Sequence, residues 1–236
     1  MNTRVFTFWE GRMPSYLKMC LDTWQCPFTI LTFDTVSKYT NSLPKQLFRL
    51  SLPKIADYIR VHVLRDNGGY WMDVDTIMLN NLLPTVTILG DPATRISTIG
   101  FLHTEPMSSM FVLWAKYQDL ILNHRSSDIL KICAKWNVMG NAFIDRYLKH
   151  DKNVIIGAIQ KYWPELSYSV NNSTHYLSYN TFYFENSYSA RPIYDNFDML
   201  MLHNSWTPAY YKNASREEVL NMNCTLSNIL RSYGTR

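Results

Sequence analysis

The sequence predicts an α/β protein built on a mixed, mostly parallel central sheet flanked by helices, and three observations carry that expectation. The first third alternates short runs of β-branched and aromatic residues with amphipathic stretches, in the order strand, helix, strand, helix, strand. Hydrophobic residues make up 47% of the 236-residue chain and aromatic residues 14%, enough for a sizeable core. No Pro/Gly/Ser-rich linker interrupts the chain, so a single domain over residues 1–236 is expected.

Each element has its own signal. "RVFTFW" is a β-branched and aromatic run ending at Glu10-Gly11, and reads as the first strand. "PSYLKMCLDTW" follows as a helix, with Pro14 at its start and Leu17, Cys20, Leu21 and Trp24 on one face. "FTILTFD" is nearly all apolar, as a buried parallel strand would be. In "LPKIADYIRVHVLRDNGG" Pro53 falls in the first turn of a helix and two glycines follow its end. "YWMDVDTIML" completes the series as a third strand. The second half is less regular. "ISTIGFL" reads as a strand, "MSSMFVLWAKYQDLIL" and "SDILKICAKW" as helices, and "THYLSYNTFYF" alternates as a strand does. "SREEVLNMNCTLSNIL" opens with a capping box, Ser215 with Glu218, and carries Val219, Met222, Leu226 and Ile229 on one face. On this order, about residues 1–80 form a nucleotide-binding-type half.

Composition narrows the class. The net charge is only +4 and its Lys and Arg are scattered, which argues against nucleic acid as a partner and suits a small anionic ligand. No apolar run approaches the ~18 residues of a membrane span, and "MNTRVFTFWEG" lacks a signal peptide's charged start and apolar core. Cys20, Cys26, Cys133 and Cys224 show no metal-type spacing and read as reduced thiols. The expectation is a cytoplasmic protein without a transmembrane segment, free or bound at a membrane surface.

The chemistry concentrates in "DYIRVHVLRDNGGYWMDVD". Residues two apart on a strand face the same way, so Asp73 and Asp75 would aim two carboxylates at one point. Two hard oxygen ligands suit Mg²⁺ or Mn²⁺ carrying a phosphate-bearing ligand, and the cation would cancel their repulsion. Asp57 and Arg60, three apart on an otherwise apolar helix, share a face, as an ion pair or as ligand groups. Glu105 in "HTEPM" is a carboxylate after a strand, a base candidate or a cap for the following helix.

This stretch resembles the D-x-x-R … GG-x-Y-x-D-x-D block of sugar-nucleotide glycosyltransferases of the Rossmann-like GT-A fold. The likeness is to glycosyltransferase family 32, the related capsular polysaccharide synthesis proteins and the clostridial glucosylating toxins. "VFTFWEG" is similar to the family's opening strand, "HTEPMSSMF" to a donor- and acceptor-contacting segment, and "LHNSW" to the C-terminal H-x-x-S-W element. "MGNAFI" is similar to the family's G-P-x-x-h helix start, without its Pro. The resemblance implies that Phe8, Trp9, Asp57, Arg60, Asp73, Val74, Asp75, Ser205 and Trp206 bind the donor, with Trp9 stacking on the base. It implies Asp75, Asp73 and His203 as ligands or phosphate contacts around Mn²⁺ or Mg²⁺, and Asp75, Arg60 and Trp206 as the catalytic groups. Glu105 and Asn141 are the acceptor or base candidates. The implied partners are a nucleoside diphosphate sugar, UDP favoured, and a glycan or glycoconjugate acceptor met by residues of about 81–236.

Two other readings compete. "MDVDTI" fits the D-x-D-x-T motif of haloacid-dehalogenase-like phosphatases, which place it after an apolar N-terminal strand; here 72 residues precede it and no DD or GDxxxD follows. The other is a non-catalytic sugar-nucleotide-binding module.

Overall fold

A computed structural model of the chain describes residues 4–80, 82–91, 96–135, 137–148, 155–166 and 174–233. Its strands are β1 (Val5–Phe8), β2 (Phe28–Leu31), β3 (Gly69–Met72), β4 (Thr76–Met78), β5 (Ile88–Asp91), β6 (Ile96–Thr104), β7 (Ile156–Ala158) and β8 (Met199–Met201). Its α-helices are α1 (Ser15–Asp22), α2 (Leu52–Asn67), α3 (Ser109–Leu122), α4 (Ser126–Ile132), α5 (Asn141–Phe143), α6 (His175–Asn180), α7 (Ala190–Asn196), α8 (Ala209–Asn213), α9 (Arg216–Asn221) and α10 (Thr225–Tyr233). These elements group into two compact units, each assembled from separate stretches of chain. Residues 1–10, 27–72 and 84–157 form the first; residues 11–26, 73–83 and 158–236 form the second.

The first unit is an α/β layer around a six-stranded mixed sheet in the order β2-β1-β3-β6-β5-β7. β1 runs parallel to β2 and to β3, whereas β6 pairs antiparallel with β3 and with β5. The sheet is therefore mixed, as expected, with β2-β1-β3 parallel and β3-β6-β5 antiparallel. The apolar run "FTILTFD" is an edge strand rather than a buried one: Phe28 and Ile30 are exposed, Leu31 is buried in the core, and β1 is its one partner strand among the described residues. α2 packs across β1, β3 and β6, and α3 packs on α2. The core between them includes Phe6, Ile59, Val63, Trp71, Leu102, Phe111 and Trp114, all buried.

Two glycines set the turn from α2 into β3. Gly68 closes the helix by donating its N–H to the Leu64 carbonyl at 2.8 Å, with φ of 65°. Gly69 follows at φ 89°, and a Cβ there would lie 2.5 Å from the Arg4 carbonyl oxygen. That same oxygen accepts the Tyr70 N–H at 2.8 Å, so the close approach is what begins the β1–β3 ladder.

The expected strand "YWMDVDTIML" is two strands in two sheets. β3 ends at Met72, and β4 belongs to the second unit, where it pairs antiparallel with β8. Asp73-Val74-Asp75 between them is a turn, closed by the Thr76 N–H donating to the Asp73 carbonyl at 3.0 Å. Strand alternation thus does not govern the two carboxylates.

In the second unit α1 packs on β4, α8 and α9. Trp24 donates its indole N–H to the Thr76 carbonyl at 2.8 Å, and the Thr23 hydroxyl accepts the Met78 N–H at 2.9 Å. "THYLSYNTFYF" is helical rather than a strand: α6 runs into a π-helical turn, Thr181–Glu185. Thr174 caps it by accepting the Leu177 N–H, and the buried Tyr179, Phe182 and Tyr183 fall at helical i, i+3, i+4 spacing. The Ser215–Glu218 capping box forms as expected, but the last helix is split into α9 and α10. No helix among the described residues is long and apolar enough to cross a membrane.

Gly69→Ala is expected to destabilise the first unit by more than about 1 kcal/mol, because it adds a clash to a left-handed backbone. Urea denaturation of the variant checks this; unchanged stability would mean that the backbone can reposition without cost.

Candidate functional site

The β4–β8 ladder delivers the second unit's chemistry. Its register pairs Thr76 with Met201, so the residues before Thr76 and after Met201 continue side by side. Leu202 donates its N–H to the Asp75 carbonyl at 3.0 Å, and Asn204 donates its N–H to Asp75 Oδ2 at 2.7 Å. The Asp73–Asp75 turn and the "HNSW" element, 129 positions apart at that bond, are thereby brought together. Tyr16 donates its hydroxyl to the Asn204 side-chain oxygen.

Asp75 is 9% exposed, so its charge acts through a medium of low dielectric. Burial and then the Asp75 charge push the Tyr16 hydroxyl and the Cys20 thiol up, and Asp75 adds to the rise at Tyr179. Its charge also favours the protonated form of Lys212, against the burial that lowers that pKa. A buried carboxylate with Asp73 two residues away is a hard-oxygen donor set that suits Mg²⁺ or Mn²⁺. Val74 is buried in the turn, and Ser205 is exposed.

The loop after β8 is held on both sides. His203 donates its N–H to the Tyr179 hydroxyl at 3.2 Å, and its carbonyl accepts the N–H of Trp206 at 2.9 Å and of Thr207 at 3.0 Å. Its imidazole lies in a cluster with Glu165 and His175, whose potential ligand atoms all fall within 4.8 Å of one another. Neither Asp73 nor Asp75 belongs to that cluster. Glu165, fully buried, pairs through Oε1 with His175 Nε2 at 3.0 Å. β8 helps to place it: Met201 donates its N–H to the Tyr162 carbonyl at 3.1 Å, three residues before Glu165. Trp163 stands 4.7 Å from the His175 ring and 5.0 Å from the His203 ring, and Trp206 stands 4.1 Å from His203. Burial pushes Glu165 up despite the bond from His175. Burial, and then the charge of His175, push His203 down to about 3, so its imidazole is neutral at neutral pH.

The first unit holds the remaining candidates. Arg60 is buried, with its guanidinium 3.2 Å from the Asp57 carboxylate, donating to the Ile99 carbonyl and standing 5.2 Å from the centre of the Trp71 ring. Gln118 donates to the Asp57 carbonyl at 3.0 Å and to the Met139 carbonyl at 2.6 Å. These bonds knit α2, β6 and the segment before α5. Phe8 packs on Phe33 in the core. Trp9 bonds its N–H to the Leu31 carbonyl at 3.0 Å, while its indole Nε1 is closed to solvent with no hydrogen-bond partner among the described residues. Glu105 is exposed, and its carbonyl accepts from Ser108 at the start of α3. Asn141 begins α5 and donates to the Ser97 carbonyl at 2.7 Å.

Glu165 and His175 are absent from the candidates drawn from the sequence. Only their proximity in the chain hinted at them, and the strand reading of "THYLSYNTFYF" hid the helix that turns His175 toward Glu165. Comparison with protein-family models finds no match to this chain, and comparison with curated proteins finds none either.

Arg60→Met is expected to cost more than about 1 kcal/mol, since it removes the buried guanidinium's contacts with the Asp57 carboxylate and the Ile99 carbonyl. The drop is read by urea denaturation; a loss under about 1 kcal/mol would mean that solvent reaches Asp57 and replaces the guanidinium.

Proposed function

We propose that the protein is a GT-A-type, metal-dependent glycosyltransferase. It moves a sugar from a nucleoside diphosphate sugar, with UDP the favoured nucleotide, to a hydroxyl of a glycan or glycoconjugate acceptor. Such an enzyme would act in the cytoplasm, in polysaccharide or glycoprotein glycan synthesis. The observation that carries the reading is the junction of Asp75 with the "HNSW" element. The resemblance assigns these two blocks to the same diphosphate, and they are far apart in sequence. The parallel β2-β1-β3 segment of an α/β sheet is a second support.

Asp75 and Asp73 would hold Mn²⁺ or Mg²⁺. When bound, that cation supplies neutralisation of the negative charge on the departing diphosphate. The transfer breaks the bond between the anomeric carbon and the diphosphate oxygen, forms one to the acceptor oxygen, and releases the acceptor's hydroxyl proton. Trp206 would donate its indole N–H to the leaving oxygen and Ser205 would contact the diphosphate. Both help only if they bind the charge more strongly as the bond breaks than before it. The Asp75–Asn204 bond fixes the orientation of the carboxylate, which lowers the order lost on binding.

Calorimetry with UDP tests the reading. Binding is expected to require Mn²⁺, to disappear in EDTA, and to weaken at least tenfold, about 1.4 kcal/mol, in Asp75→Asn. The Asn variant keeps an acceptor for the Asn204 N–H and removes only the charge. Tight UDP binding indifferent to EDTA and to Asp75→Asn would overturn the assignment. Turnover of a simple phosphate ester that is lost in Asp73→Asn would favour the phosphatase reading instead.

Trp206→Phe is expected to lower kcat at least tenfold while leaving KM for the donor within about threefold, the mark of a contact made in the transition state. Nucleotide-sugar hydrolysis in Mn²⁺ provides the assay; a rise in KM at constant kcat would make Trp206 a ground-state contact.

A further inference from the structure

We propose that Glu165, His175 and His203 form a second metal site, distinct from any cation at Asp73 and Asp75, that takes a divalent ion of the zinc class. The alternative is a buried Glu–His ion pair with a histidine beside it. That alternative accounts for Glu165 Oε1 and His175 Nε2, which meet at 3.0 Å. It leaves His203 Nε2 unexplained. That nitrogen is closed to solvent and has no hydrogen-bond partner among the described residues, whereas the second oxygen of Glu165 has the buried Tyr183 hydroxyl as its neighbour. Buried polar atoms are nearly always satisfied, and an orphan imidazole nitrogen beside a Glu–His pair points to a group that binds all three side chains. A cation among the three side chains does so, and replaces the proton shared by Glu165 and His175.

The donor set selects the ion. Two imidazoles and one carboxylate are the ligands of zinc-type centres, whereas Mg²⁺ and Ca²⁺ prefer oxygen throughout. Metal–ligand bonds of about 2.0–2.2 Å place tetrahedral ligands roughly 3.4 Å apart. The three potential ligand atoms lie within 4.8 Å of one another, so small side-chain rotations close the set. Three protein ligands leave one position for water. Trp163, Tyr179 and Trp206 pack around the two rings, an apolar wall that slows release of the ion.

The ligands sit on three separate pieces of the second unit: Glu165 in the 3₁₀ turn Pro164–Leu166, His175 at the start of α6, and His203 in the loop after β8. An ion there ties that loop, with Trp206, to α6. The site stands on its own geometry and does not depend on the glycosyltransferase reading.

The test uses the full chain, stripped with a chelator and returned to Zn²⁺ or Co²⁺. Expected are one equivalent of bound zinc, the visible bands of tetrahedral cobalt, and a zinc-dependent rise in Tm. His175→Ala, at a partly exposed position, and Glu165→Gln should each weaken zinc binding at least tenfold and remove the cobalt bands. Asp75→Asn should leave both intact. Absence of stoichiometric zinc and of any Tm rise in the wild-type chain overturns the proposal. So does wild-type zinc affinity in a His175→Ala variant whose circular dichroism shows it folded. Loss of the cobalt bands in Asp75→Asn would overturn the separateness of the two sites.

Discussion

A carboxylate nearly closed to solvent must be met by donors, and in the second unit the backbone N–H of Asn204 meets Asp75. That bond is possible only because β4 and β8 pair in the register that sets Thr76 against Met201. The same strand gives its other contact to Tyr162, and so helps place Glu165. One short buried strand, Met199–Met201, therefore organises both the Asp75 corner and the histidine cluster. Its three apolar residues carry no chemistry, yet the positions of the groups that do depend on them.

The first unit solves a similar problem by different means. Arg60 is buried on a helix that packs against the sheet, and Asp57, the Ile99 carbonyl and the face of Trp71 share its charge. A guanidinium offers five donors in a rigid planar fork and a flat face for an aromatic ring, which lets it join α2 to β6 and β3. The D-x-x-R spacing thus has a local reason on the helix itself, whatever ligand the protein binds.

Much of the fold was legible in the sequence, and the failures have physical causes. The starts of α1 and α2, the Gly-Gly stop and the capping box were marked by residues whose backbone preferences act locally. The split of "YWMDVDTIML" was not legible, since both halves are apolar and β-prone, and what separates them is their partners: β1 and β6 for β3, β8 for β4. "THYLSYNTFYF" misled because aromatic residues that suit a strand's alternation also suit a helix's inner face, and only the Thr174 cap favoured the helix. At the site, Asp73, Asp75, His203 and Trp206 stood out through their motifs. Glu165 and His175 had no motif, because their meeting is produced by tertiary packing rather than by spacing.

The aromatic wall around the cluster has an optical consequence. Two of the seven tryptophans, Trp163 and Trp206, lie within about 5 Å of the His203 ring, and Trp206 is also 5.0 Å from His175. An imidazolium at that range quenches indole emission, and so does a paramagnetic ion. The second unit therefore carries its own fluorescent reporter, which would read the binding of a paramagnetic ion such as Co²⁺ at these side chains and needs no label.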